Sequence, residues 1–122
     1  MELLARTEGP LQLVSVVDDR IDAAVALVFK DHVRRLTSGG TGSVILDLQK
    51  VTFIDSSGLG AIIAIMKNLA PDRALLLAGL TGPVARVFRL TRMDSVFSIY
   101  PTLDVAVEDR RNARTPEIGR AH

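Results

Sequence analysis

Cysteine is absent from the chain, and imidazole is available only at His32 and His122, which are far apart. The first absence excludes disulfides, thiol catalysis, thiol redox sensing and the usual structural zinc sites. The second leaves His32 without a catalytic companion, so it reads as a surface residue of a helix. An excess of one charge sign is also missing. The formal net charge is +1 and the arginines are scattered, so no basic face for a nucleic acid is present. No apolar run is long enough to span a membrane. Met1-Glu2-Leu3-Leu4-Ala5-Arg6 lacks the basic segment and apolar stretch of a secretory signal. A soluble, cytoplasmic protein with no nucleic-acid or membrane partner is the expectation.

What is present fits one domain. The 122 residues suffice for a real core and are too few for two ordinary domains. Apolar residues at 48% and charged ones at 24% give a globular balance. Residues 11–17, β-branched and loosely alternating, read as a strand, with a shorter partner over residues 2–7 across the Gly9-Pro10 turn. A helix is predicted from Asp22, with Val25, Val28, Phe29, Val33 and Leu36 as its apolar stripe. Ser38-Gly39-Gly40-Thr41-Gly42 ends it. This glycine cluster follows a helix and lacks the Lys-Ser/Thr of a phosphate loop, so it reads as a C-cap and turn.

Ser43-Val44-Ile45-Leu46-Asp47-Leu48 is a nearly continuous apolar strand, the pattern of a strand buried on both faces. Further strands are predicted over residues 74–78 and 96–99. Further helices are predicted over residues 59–69, with Met66 on the core face, over residues 83–90, with Pro83 in the first turn, and from residue 103 to at least 108. From Asp109 the chain turns polar and charged, which reads as a disordered tail over residues 109–122. Alternating strands and helices after a first hairpin define an α/β domain with its sheet covered by helices.

The most informative stretch is Val51-Thr52-Phe53-Ile54-Asp55-Ser56-Ser57-Gly58-Leu59-Gly60. An apolar run meets a small hydroxyl cluster, and an apolar helical pattern follows at once. Backbone N–H groups at a helix start have no partner inside the helix, and the helix dipole favours negative charge there. Ser56 is therefore a candidate helix cap and a candidate phosphosite, two roles that are compatible. Ser57 is the second candidate phosphosite and a support for the first turn. Asp55 either bonds its own turn or orients the Ser56 hydroxyl. Gly58 reads as a place of close approach for a strand or partner, and Gly60 as a packing glycine. Asp18, Asp19 and Asp22 fit no calcium-loop spacing and read as a solvated acidic turn or a contact edge for a basic partner. Ser57 lacks the Gly-x-Ser-x-Gly setting of a hydrolase elbow, and no acid–base constellation converges. The chain reads as a substrate for an enzyme and not as an enzyme, with no cofactor and no metal site.

Phe53-Ile54-Asp55-Ser56-Ser57-Gly58-Leu59-Gly60 resembles the motif of the STAS family, in particular the bacterial anti-sigma factor antagonists. The preceding strand Val44-Ile45-Leu46-Asp47-Leu48 and the segment Gly82-Pro83-Val84-Ala85-Arg86-Val87-Phe88 resemble the family's elements at those places. The resemblance covers residues 8–108 and implies a single STAS domain over residues 1–108. Its fold would be a mixed four- to five-stranded sheet with about four helices. It implies phosphorylation of Ser56 by a cognate anti-sigma factor that is also a serine kinase. A serine phosphatase would reset the switch, and Asp22, Asp55, Ser56, Ser57 and Gly58 would lie on the partner-binding surface. It also implies a monomer or weak dimer. Asp22 matches the family's turn before the first helix, whereas Asp19 stands where glycine is usual. The alternative reading is a STAS scaffold or sensory protein in a larger stress-signalling assembly. Such proteins tend to carry an extra N-terminal sensing domain, for which this chain is expected to have no room.

Overall fold

The computed structural model describes residues 1–114. Two strands, β1 (Leu3–Glu8) and β2 (Leu11–Val16), form the expected antiparallel hairpin, with Gly9 in its turn at φ +59°. Then follow β3 (Arg20–Ile21), α1 (Ala26–Thr37), β4 (Val44–Asp47), β5 (Phe53–Ile54) and α2 (Ser56–Leu69). The chain continues through β6 (Leu75–Ala78), α3 (Gly82–Leu90), a short 3-10 turn (Met93–Ser95), β7 (Ser98–Tyr100) and α4 (Leu103–Arg114). The main sheet has the order β1-β2-β4-β6-β7. Its first pair is antiparallel and the rest are parallel, so it is a mixed five-stranded sheet in an α/β domain. β3 and β5 form a separate parallel pair.

The apolar runs of β4 and β6 follow from burial on both faces. All four residues of each strand are buried. On one face Val14, Val16, Val44, Leu46, Leu75 and Leu77 pack with Phe29 and Val33 of α1, Ile62 and Ile65 of α2, and Val84 and Phe88 of α3. On the other face Leu11, Leu13, Ile45, Leu76 and Ala78 pack with Ala106 and Val107 of α4. The alternation within each strand sorts its residues between these two cores. Arg73 closes the far end of the sheet. Its guanidinium donates to the carbonyls of Thr37 and Gly42, both at 2.7 Å, and to the side chain of Gln12.

Four details depart from the sequence reading. α1 starts at Ala26 and not at Asp22, because residues 23–25 form a turn. Its buried residues are Phe29, Val33 and Thr37, whereas Val28 is 54% exposed. Spacing by four keeps one face of a helix inward, and Val28 falls off it. The last strand lies at Ser98–Tyr100, because Phe97 is drawn into the core edge-on against Phe88, with ring centroids 5.8 Å apart. The expected disordered tail does not begin at Asp109, since α4 runs on through Arg114. Its polar residues are tied to the body. The Tyr100 hydroxyl donates to Asp109 at 2.5 Å, Arg110 donates to Ser43 at 2.8 Å, and Arg111 donates to Glu8 at 2.8 Å. Residues 115–122 of that predicted tail lie outside the described residues.

The corrected α1 face is tested by two alanine variants in urea. Phe29→Ala, which empties a fully buried ring site, is expected to lose about 3–5 kcal/mol. Val28→Ala is expected to stay within about 0.5 kcal/mol of wild type. Equal losses would return Val28 to the core.

Candidate functional site at the start of helix α2

Helix α2 begins where Asp55 turns extended, at φ −108° and ψ −174°. Its side-chain Oδ1 accepts the Gly58 N–H at 2.9 Å and so caps the helix. The other oxygen, Oδ2, accepts the Ala23 N–H at 3.0 Å, in the loop before α1. The cap is thus Asp55 and not Ser56 as the sequence suggested. A carboxylate that reaches the third residue ahead takes the role a serine would otherwise fill. Ser56 becomes the first residue of the helix and Ser57 the second. Both are exposed, and neither hydroxyl makes a hydrogen bond within the described residues. No base holds either one, so the geometry presents hydroxyls and does not activate them.

The electrostatics follow the same bonds. The Gly58 N–H, followed by those of Ala23 and Ser57, holds the Asp55 carboxyl below its ordinary range, against partial loss of water that pushes it up. Gly58 answers a steric need: a Cβ there would lie 2.0 Å from the Ile21 carbonyl oxygen, so only glycine lets α2 rest on β3. Gly60 does not serve packing as expected. It is exposed, and a Cβ there would meet nothing within 4 Å.

Asp22 joins the cluster from the other side. It accepts the Ala24 N–H at 3.1 Å and pairs with the Arg20 guanidinium at 3.2 Å. Asp22, Asp55, Ser56, Ser57 and Gly58 therefore converge on one end of the domain. Sequence reasoning missed β3 and the pair it creates there. Arg20 sits over the Phe53 ring at 4.5 Å from its centroid, on the outer side of the β3–β5 pair. The sequence signal for it is an aromatic residue at the first position of the motif. Asp19 adopts no positive φ, so glycine is not required at its position. Among the described residues, no group of three or more His, Cys, Asp and Glu side chains is placed to hold a metal, and no helix is long and apolar enough to cross a membrane.

The parallel-sheet core and the capped, serine-bearing helix define a small α/β domain that exposes an unengaged hydroxyl on a fixed surface. The STAS domain profile matches residues 4–106, and the chain belongs to that family. A Thermotoga maritima protein provisionally named an anti-sigma factor antagonist is 34% identical over 73 residues, which cover 59% of this chain and 65% of that protein. The aligned stretch thus spans just under two thirds of that relative. The anti-sigma-B factor antagonist of Staphylococcus aureus is 23% identical over 84 residues, covering 68% of this chain and 78% of that one. Among solved structures, an anti-sigma factor antagonist from Mycobacterium paratuberculosis superposes with a TM-score of 0.80 at 25% identity, covering 90% of this chain and 93% of that one.

Two outcomes test this geometry. Gly58→Ala forces its methyl into the Ile21 carbonyl and is expected to cost about 1–3 kcal/mol in urea unfolding. A neutral result would mean that α2 and β3 do not touch. Asp55→Asn keeps one acceptor oxygen and loses the charge. A carboxylate whose folded pKa is depressed contributes stability above its unfolded pKa and loses it as pH falls through the folded value. The melting-temperature gap between wild type and Asp55→Asn is therefore expected to be widest at neutral pH and to close on acidification. A gap independent of pH would remove the charge from the account.

Proposed function

We propose that the protein is an anti-sigma factor antagonist. It binds an anti-sigma factor of the serine-kinase type and thereby frees the sigma factor. Phosphorylation of Ser56 by that kinase ends the complex, and a serine phosphatase restores it. Asp22, Asp55, Ser57 and Gly58 form the contact surface around the switch. The reading requires the cytoplasm, where sigma factors act, and it assigns no enzymatic activity to the chain itself. The observation that carries it is the free Ser56 hydroxyl, exposed on the first turn of a helix that Asp55 already caps. The names of the relatives support the same reading.

The physics of the switch is local. A phosphate adds about −1.5 to −2 charges and three acceptor oxygens. The helix start favours it by about 0.3–1 kcal/mol, and the neighbouring Asp55 carboxylate opposes it. These contributions roughly offset, so the fold stays intact. At an interface the same dianion has to be desolvated or repelled, and like charges across an interface cost several kcal/mol. Each ~1.4 kcal/mol is a tenfold change in affinity.

A pull-down from native lysate with wild type, Ser56→Ala and Ser56→Glu is the test. An anti-sigma kinase is expected with the first two and not with the third, at least about tenfold weaker by titration. Unfolding of Ser56→Glu is expected to match wild type within about 0.5 kcal/mol. Equal retention by all three proteins would place control somewhere other than Ser56.

A further inference from the structure

We propose that Phe53 and Asp19 form a partner-specificity patch beside Ser56, where the anti-sigma factor seats an apolar side chain flanked by a lysine or arginine. The proposal rests on the anti-sigma factor reading and names the residues that select the partner outside the serine motif.

Phe53 is 41% exposed, while Phe29, Phe88 and Phe97 are buried. A single exposed apolar residue is ordinary. This one differs because it is already organised. Arg20 covers the ring at 4.5 Å, and the Arg20 guanidinium is itself held by Asp22 at 3.2 Å. The ring is further fixed by its backbone, since the Phe53 N–H donates to the Asp19 carbonyl at 3.2 Å. A rigid aromatic beside an arginine loses little conformational freedom on binding, and aromatic and arginine side chains dominate interface hot spots.

Asp19 supplies the charge. Its carbonyl takes the Thr52 N–H at 2.8 Å and the Thr52 hydroxyl at 3.3 Å, so its backbone is fixed against the residue before Phe53. Its carboxylate is exposed and makes no hydrogen bond or ion pair among the described residues. The other acids at this end are committed to the fold. Asp18 accepts from the Glu2 N–H, Asp22 from Arg20 and Ala24, and Asp55 from Gly58 and Ala23. An exposed carboxylate on the residue whose carbonyl takes the Phe53 N–H is complementary to a cation next to an apolar group.

Reach is not an obstacle. Phe53 precedes Ser56 by three residues, at most about 11 Å of chain. A standard interface covers about 800 Å² on each partner, wide enough to take in both residues.

The test uses the anti-sigma kinase that Ser56→Ala retains, purified and titrated by biolayer interferometry at several salt concentrations. The ligands are wild type, Phe53→Ala, Asp19→Asn, Asp19→Lys and Ser56→Glu, each with its melting temperature. Phe53→Ala is expected to weaken binding at least about tenfold, chiefly through faster dissociation. Asp19→Asn is expected to flatten the salt dependence, and Asp19→Lys to slow association further. The Asp19 side chain has no hydrogen bond or ion pair to lose among the described residues, so its variants carry the test even if Phe53→Ala is destabilised. If all three variants bind within about twofold of wild type while Ser56→Glu is released, the patch is overturned and the serine switch stands. If the patch variants weaken binding and Ser56→Glu binds like wild type, the patch stands and the serine switch falls. If no anti-sigma factor is retained, both fall.

Discussion

The Asp55 carboxylate accepts two backbone N–H groups from distant parts of the chain, Gly58 at the start of α2 and Ala23 in the loop before α1. A serine or asparagine cap offers one acceptor oxygen, whereas here each N–H meets a carboxylate oxygen of its own. The consequence runs outward in both directions. The helix start has its cap, so Ser56 and Ser57 keep their hydroxyls free. The loop is fixed, so Asp22 and through it Arg20 hold their places. The serine motif and the acidic turn, more than thirty residues apart in sequence, become one surface because of this residue.

The surface stays rigid because its underside is buried. β3 and β5 are only two residues long, yet each sends one isoleucine inward, and Ile21 and Ile54 are both buried. Their neighbours Arg20 and Phe53 necessarily point outward, as alternation along a strand requires. Gly58 completes the arrangement by letting the helix backbone rest on the Ile21 carbonyl. Four residues of strand and one glycine thus convert a loop into a fixed platform. The larger sheet contributes indirectly, since α1 and α2 are both anchored on its face through Phe29, Val33, Ile62 and Ile65.

Much of this was legible in the sequence, and the gaps have physical causes. The strands over Val44–Asp47 and Leu75–Ala78 were visible because burial on both faces demands unbroken apolar runs. Helix α3 announced itself through Pro83, and the grouping of Asp55, Ser56, Ser57 and Gly58 through contiguity. β3 was invisible, because two residues carry no periodicity. The cap was misassigned because Asp and Ser are both good caps, and only the backbone at Asp55 decides between them. The end of α4 is not legible because its last residues are polar. Two of their partners, Ser43 and Glu8, lie 67 and 103 residues away, a distance that conceals them. The Arg20–Phe53 stack was missed for the same reason: two residues 33 apart are brought side by side only by the pairing of β3 with β5.

The cap also bears on where a phosphate on Ser56 would direct its charge. A helix start binds anions because its first N–H groups lack partners. Here part of that capacity is taken by the Asp55 carboxylate. Gly58 donates to Asp55, and the Ser57 N–H helps hold the same carboxyl ionised. A phosphate on Ser56 therefore meets an occupied site with a negative charge beside it, and the fold has little means of absorbing it inward. Its charge is delivered to solvent or to whatever covers the serine. An uncapped helix start would draw the phosphate into its own N–H groups and mute the signal. Capping by Asp55 keeps the serine free before modification and keeps the phosphate outward after it, so one carboxylate serves both states of the proposed switch.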